Sequence, residues 1–139
     1  MAGTIRGQYP TMVRPVRVLC TGRVSSDMVM RAFGKGADGV AIIGCYLKEC
    51  DFETGSKHMV QNVDYLKGVL QSVGVNPERL QAHFCSAAEG QKFQRTMIEM
   101  TKTIKKLGPS PLRELAKNSK KKKKKKRSKK AALKQTKSE

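Results

Sequence analysis

The chain has no apolar run long enough to cross a bilayer. Its longest, Gly39 to Cys45, falls far short of the roughly 20 residues that a membrane-spanning helix needs. Met1 to Pro10 contains no apolar stretch at all, so it does not read as a secretory signal. Also missing are a G-x-G-x-x-G fingerprint, a Walker sequence and a convincing nucleophile–base pair, which argues against a self-contained enzyme. No aromatic residue follows Phe93, so the C-terminal portion offers no side chain on which a base would stack. These absences lead to the expectation of a cytoplasmic protein with no transmembrane segment, no catalytic residues and no specific nucleic-acid recognition.

What is present is unevenly spread. Of the formal net charge of +18, a net of +12 comes from residues 117–139, and Lys120 to Lys126 is an unbroken lysine run. Like charges this dense repel and bury nothing, so residues 117–139 are expected to be a disordered tail when free. Residues 1–116, only mildly basic, are expected to form one domain. The tail's basicity fits a solvated tail equally with docking to an acidic partner, to nucleic acid or to an anionic membrane surface.

Within the body, strand and helix patterns alternate. Val16 to Cys20 is short, β-branched and apolar, with Pro15 tolerated at its start. Ser25 offers a helix N-cap, Val29, Ala32 and Phe33 follow at helical spacing, and Gly34 and Gly36 close the helix. Gly39 to Cys45 is a continuous apolar run, the pattern of a central strand buried on both faces. Val60, Val63, Leu66, Leu70 and Val73 stripe a longer helix that begins after Gly55 and stops at Gly74 and Pro77. Arg79 to Cys85 alternates as a third strand, and Ser86-Ala87-Ala88-Glu89 is a capping-box pattern opening a last helix striped by Phe93, Met97, Ile104 and Leu107. Repeated β-α units of this kind predict an α/β fold, an open, mostly parallel sheet of three or more strands with helices on both faces.

Four cysteines in a chain with no secretory signal point to metal or redox chemistry before disulfides. The alternative is that they are small buried hydrophobes. Their placement favours a site. In open parallel sheets ligands bind at the carboxyl ends of the strands, and there Cys20 ends the first predicted strand, Cys45 the second, and Cys50 lies in the loop beyond. Gly22 and Gly44 beside them would let the backbone approach a charged ligand closely. Cys20, Cys45 and Cys50 are thus the expected metal ligands, with Gly22 and Gly44 as cofactor-binding positions. A two-iron cluster usually takes four protein ligands, which leaves three good positions and Cys85, in the third strand, as a weak fourth candidate.

Several strings together go beyond generic patterning: Gln8-Tyr9-Pro10, Arg17 through Val24 (RVLCTGRV), Phe33 through Gly39 (FGKGADG), Gly44-Cys45, Cys50, Asn76-Pro77-Glu78-Arg79-Leu80, Ser86 through Phe93 (SAAEGQKF) and Leu107 through Leu112 (LGPSPL). In this order they resemble the delta subunit of the methyl-viologen-reducing (F420-non-reducing) nickel–iron hydrogenase, over nearly all of residues 2 to 113. The resemblance implies a 2Fe-2S electron-transfer subunit. It would pass electrons between a hydrogenase, or a formate dehydrogenase in its place, and the A subunit of heterodisulfide reductase, in an electron-bifurcating complex of methanogens and related anaerobes. Cys20, Cys45 and Cys50 match family cysteines and Cys85 does not. The family tends to have His and Gly where this chain has Tyr46 and Lys48, and His-Tyr where it has Asp51-Phe52. Members usually begin with a further strand and a cysteine-rich segment, so the remaining ligands are expected upstream of an artificial start or on another chain, unless the cluster has been lost. The rival readings are a cluster-free α/β module binding nucleic acid or an acidic partner through its tail, and a zinc-stabilised structural subunit.

Overall fold

A computed structural model describes residues 7–113; the expected boundary after residue 116 and the lysine-rich tail lie outside the described residues. Helix α1 (Ser26–Gly34) is capped as expected, with the Ser25 side chain accepting the Met28 N–H. Strand β1 (Val40–Gly44) leads into a loop and then helix α2 (Gly55–Ser72). A one-turn helix at Pro77–Arg79 delivers strand β2 (Leu80–Phe84), and helix α3 (Gly90–Leu107) follows. Strands β1 and β2 are parallel and in register from Val40 opposite Leu80 to Gly44 opposite Phe84.

The sheet of the described residues therefore has two strands, where three or more were expected. The missing one is residues 16–20, which pair with neither strand: Val16 is 78% and Leu19 89% exposed. β-Propensity measures fit to a half-buried pleated surface, and without a neighbouring strand it stabilises nothing. Strand β1 is consequently flanked on one side only, and Val40, Ala41 and Ile43 are half-buried where burial on both faces was expected.

One face of the sheet carries the core. Val29 and Phe33 of α1, Ile42 and Leu80 of the strands, and Met59, Val63, Leu66 and Leu70 of α2 form one buried cluster. Each such side chain contributes about 1.5–3 kcal/mol relative to exposure. The α2 stripe ends differently from its pattern: Val73 is exposed and Val75 takes its place, its N–H bonded to the Leu70 carbonyl beyond the turn at Gly74. Helix α3 buries Met97 and Met100 outside that cluster. The Ser86–Glu89 box forms only in part. The Glu89 carboxylate accepts the Ser86 N–H at 2.8 Å, but the helix starts at Gly90, three residues after the Ala87 start that a Ser86 cap implies. The Tyr46 hydroxyl donates to the same carboxylate, and the Glu89 N–H bonds the Ser86 carbonyl in place of its hydroxyl.

Arg79 closes the end of the sheet opposite the cysteines. It is 3% exposed, and its guanidinium donates to the carbonyls of Asp38, Leu107, Gly108 and Pro109 at 2.9–3.2 Å. One side chain thereby joins the turn before β1, the start of β2 and the C-terminus of α3, where a positive charge also complements the helix dipole.

Candidate metal centre

The cysteine-bearing edge is built by glycines. Residues 21–23 form a single 3-10 turn that lies across the carboxyl end of β1 and the first turn of α2. A Cβ on Gly44 would sit 2.7 Å from Thr21 Oγ1, and one on Gly22 would sit 2.8 Å from the Gly55 Cα. Neither distance is tolerated between real atoms, so glycine at 22 and 44 is what lets this turn seat on the sheet. Gly22 also donates its N–H to Cys20 Sγ at 3.4 Å.

Gly55 does the same for sulfur. A Cβ there would collide with Cys20 Sγ and come within 3.3 Å of Cys50 Sγ. The two thiols are thus neighbours across the first residue of α2, although 30 positions separate them in the chain. Cys50 is held below the ordinary thiol pKa by the Ser56 hydroxyl, then by the N–H groups of Ser56, Phe52 and Gly55. These are the free donors of a helix N-terminus and the loop before it, a setting that favours an anionic thiolate.

Cys45 is exposed, one residue past β1. Its carbonyl accepts the hydroxyl of fully buried Ser56 at 2.9 Å. The same serine therefore fixes the backbone of Cys45 and lies among the groups that lower the Cys50 pKa. Cys85 behaves differently. Its thiol donates to the carbonyls of Glu89 (3.3 Å) and Ser86 (3.5 Å), and burial, then the Glu89 charge, push its pKa up. It is a protonated donor. Among the described residues no three Cys, His, Asp or Glu side chains gather as a ready metal site. The arrangement is two thiols flanking a helix start, with a third exposed nearby.

Next to Cys45, Tyr46 stacks on Phe84 with ring centroids 6.3 Å apart and donates its hydroxyl to Glu89. Lys92 donates in turn to the Tyr46 oxygen. The Ser86 N–H, then the Tyr46 hydroxyl, keep Glu89 below the usual carboxylate range, and the Tyr46 bond raises Lys92. His58 is exposed, and burial lowers the pKa of His83, which shares a bond with Gln81. Ser56, Gly55 and Thr21 were not singled out from the sequence. The signal for the first two was the small pair Gly55-Ser56 opening an amphipathic stripe; Thr21 carried none.

Parallel strands, connecting helices and thiols at the strands' carboxyl edge define a small α/β protein with a cysteine-bearing rim. The chain belongs to the family of the methyl-viologen-reducing hydrogenase delta subunit, whose model matches residues 1–108. It is 44% identical over 113 residues to an F420-non-reducing hydrogenase iron-sulfur subunit of Methanococcus maripaludis, covering 81% of this chain and 84% of that protein. The corresponding iron-sulfur subunit of Methanocaldococcus jannaschii is 43% identical over the same length. A third relative is the A subunit of a CoB-CoM heterodisulfide reductase of Methanosarcina acetivorans, 38% identical over 109 residues that make up 78% of this chain and 14% of that protein. No helix among the described residues is long and apolar enough to cross a membrane.

Proposed function

We propose that the protein is a non-catalytic electron-transfer subunit holding a 2Fe-2S cluster with Cys20, Cys45 and Cys50 as ligands. The observation that carries this reading is the pairing of the Cys20 and Cys50 sulfurs across Gly55, against N–H donors that favour thiolate. Iron binds the thiolate form, and an anionic thiolate–iron centre gains from donors already aimed at it. Gly22 and Gly44 serve the site by close packing, and Gly22 also through its N–H toward Cys20. When bound, the cluster supplies one-electron redox chemistry. The chain's own residues hold it, solvate its charge and present it at the rim. Three thiols are one short of the four ligands such a cluster takes, and Cys85 is engaged with carbonyls, so the fourth ligand comes from elsewhere.

The partners in this reading are a hydrogenase, or a formate dehydrogenase, as donor and the A subunit of heterodisulfide reductase as acceptor, in a cytoplasmic electron-bifurcating complex. It is supported by relatives named as iron-sulfur subunits of a hydrogenase and by a heterodisulfide reductase that carries a similar segment within its own A subunit. The domain would span residues 1–116, and residues 117–139 would be a solvated basic tail.

Anaerobic reconstitution with iron and sulfide, followed by metal analysis and electron paramagnetic resonance, tests the proposal. The expected result is a reducible chromophore with near-equal iron and sulfide, bleached by Cys20→Ser, Cys45→Ser or Cys50→Ser and kept in Cys85→Ser. Stoichiometric zinc would replace this reading with a structural one. Uptake of neither metal would leave a binding module.

A further inference from the structure

The end of the two-stranded sheet brings two more sulfurs together. The last register pair is Gly44 opposite Phe84, and the ladder's final bond runs from the Cys85 N–H to the Gly44 carbonyl at 2.9 Å. Cys45 and Cys85 are therefore the next residues on two parallel strands, each one step beyond the last pair. Neighbouring strands run about 4.8 Å apart, inside the roughly 4.4–6.8 Å range of Cα separations that a disulfide spans. In-register parallel neighbours place their Cβ atoms slightly too far apart for that bond. Here both residues lie past the last register pair: the Cys85 N–H bond to Gly44 and the Ser56 bond to the Cys45 carbonyl anchor the backbones, but no further pair follows and the small approach is permitted.

We propose that Cys45 and Cys85 form a reversible disulfide, a thiol pair distinct from Cys20 and Cys50. Cys45 is exposed and Cys85 half-buried behind it, an arrangement of attacking and resolving thiol. In the first step the Cys45 thiolate attacks a low-molecular-weight disulfide such as oxidised glutathione. A mixed disulfide forms and one glutathione thiolate leaves. In the second, Cys85 loses its proton to solvent, attacks the Cys45 sulfur and expels the second glutathione. Two cysteine thiols are oxidised and one glutathione disulfide is reduced. The thiol–carbonyl bonds of Cys85 to Glu89 and Ser86 must open for the second step, which makes Cys85 a slow resolver and keeps the pair reduced until oxidant is sustained. Resting on the cluster reading, one consequence follows: Cys45 is unable to ligate iron while paired, so oxidation would release the cluster and store Cys45 in a form that thiols restore.

Trypsin cuts after Lys and Arg and so places each of the four cysteines on its own peptide. The full-length, iron-free chain is treated with oxidised glutathione, alkylated, digested and mapped by mass spectrometry. The expected product joins the Cys45 peptide to the Cys85 peptide and disappears on reduction. In Cys85→Ser and in Cys85→Ala, Cys45 should instead accumulate as its glutathione adduct. A chain in which Cys85 stays alkylatable, or in which Cys45 joins Cys50, overturns the proposal. The iron-loaded chain is treated in parallel. Loss of the chromophore together with the Cys45–Cys85 product supports the cluster-release step, and loss without that product counts against it. Failure to load iron, with the linked peptide still formed, removes the electron-transfer reading and upholds the thiol pair.

Discussion

Replacing Arg79 by alanine should destabilise the fold without touching the thiol edge. The guanidinium is 3% exposed and makes four bonds to backbone carbonyls, with no carboxylate partner among the described residues. Charge-assisted bonds of this kind contribute about 1.5–3 kcal/mol each, which sets an upper figure of about 6–12 kcal/mol. Two effects reduce it. Burying the charge costs several kcal/mol that the variant recovers, and the freed carbonyls near the α3 C-terminus regain water. A net loss of about 3–5 kcal/mol remains, a large share of the roughly 5–15 kcal/mol typical of a whole domain. Arg79→Lys keeps the charge but loses the planar fork that reaches four acceptors at once, and should cost about 1.5–3 kcal/mol. Urea titration of the full chain followed by far-ultraviolet circular dichroism measures both, and an unchanged slope would show that the unfolded state is the same. At temperatures where the variant is folded, Cys20 and Cys50 should react with alkylating agents as in the parent. A loss below about 1 kcal/mol for Arg79→Ala would refute the clip, since it would mean the four carbonyls find water as readily as the guanidinium.

Gly55→Ala should fold, because alanine is the better helix former, yet lower iron and sulfide uptake, as its methyl occupies the place where the Cys20 and Cys50 sulfurs meet; full uptake would contradict the pairing. Cys50, its pKa lowered by the Ser56 hydroxyl and nearby N–H groups, should be alkylated at lower pH than Cys85, whose pKa is raised by burial and Glu89. The linkage signs are opposite: the Cys50 contribution to stability is present above the unfolded thiol pKa and fades as pH falls through the lowered value, whereas that of Cys85 is present below it and fades as pH rises. Alkylation followed peptide by peptide across pH reads this order, and coincident midpoints would speak against it. Tyr46→Phe removes the hydroxyl shared by Glu89 and Lys92 and should cost about 0.5–1.5 kcal/mol by denaturant titration, with the ring still stacked on Phe84; no measurable loss would mean that the hydroxyl is replaced by water.

Periodicity was enough to place the helices, because a stripe of apolar residues at helical spacing has one way to be buried. Ser25, Val29 and Phe33 of α1 and Val63, Leu66 and Leu70 of α2 do what their spacing implies. The two paired strands were equally legible, and a parallel ladder puts the residues after both, Cys45 and Cys85, on one edge; Cys20, expected at the end of a strand, precedes a 3-10 turn instead. Chain-local pattern failed where the outcome depends on a partner. Residues 16–20 have the composition of a strand but no strand to pair with among the described residues, and the Ser86–Glu89 box starts no helix until Gly90, with the Glu89 carboxylate shared between the Ser86 N–H and Tyr46, distant in sequence. Only tertiary structure decided that Gly55 separates two sulfurs, that Ser56 bonds the Cys45 carbonyl, and that Cys45 and Cys85 follow the last pair of the ladder side by side. Those are distances between residues remote in the chain. Residue type and spacing determine which groups are available and which face they share, whereas the meeting of two particular atoms follows from how the helices seat on the sheet.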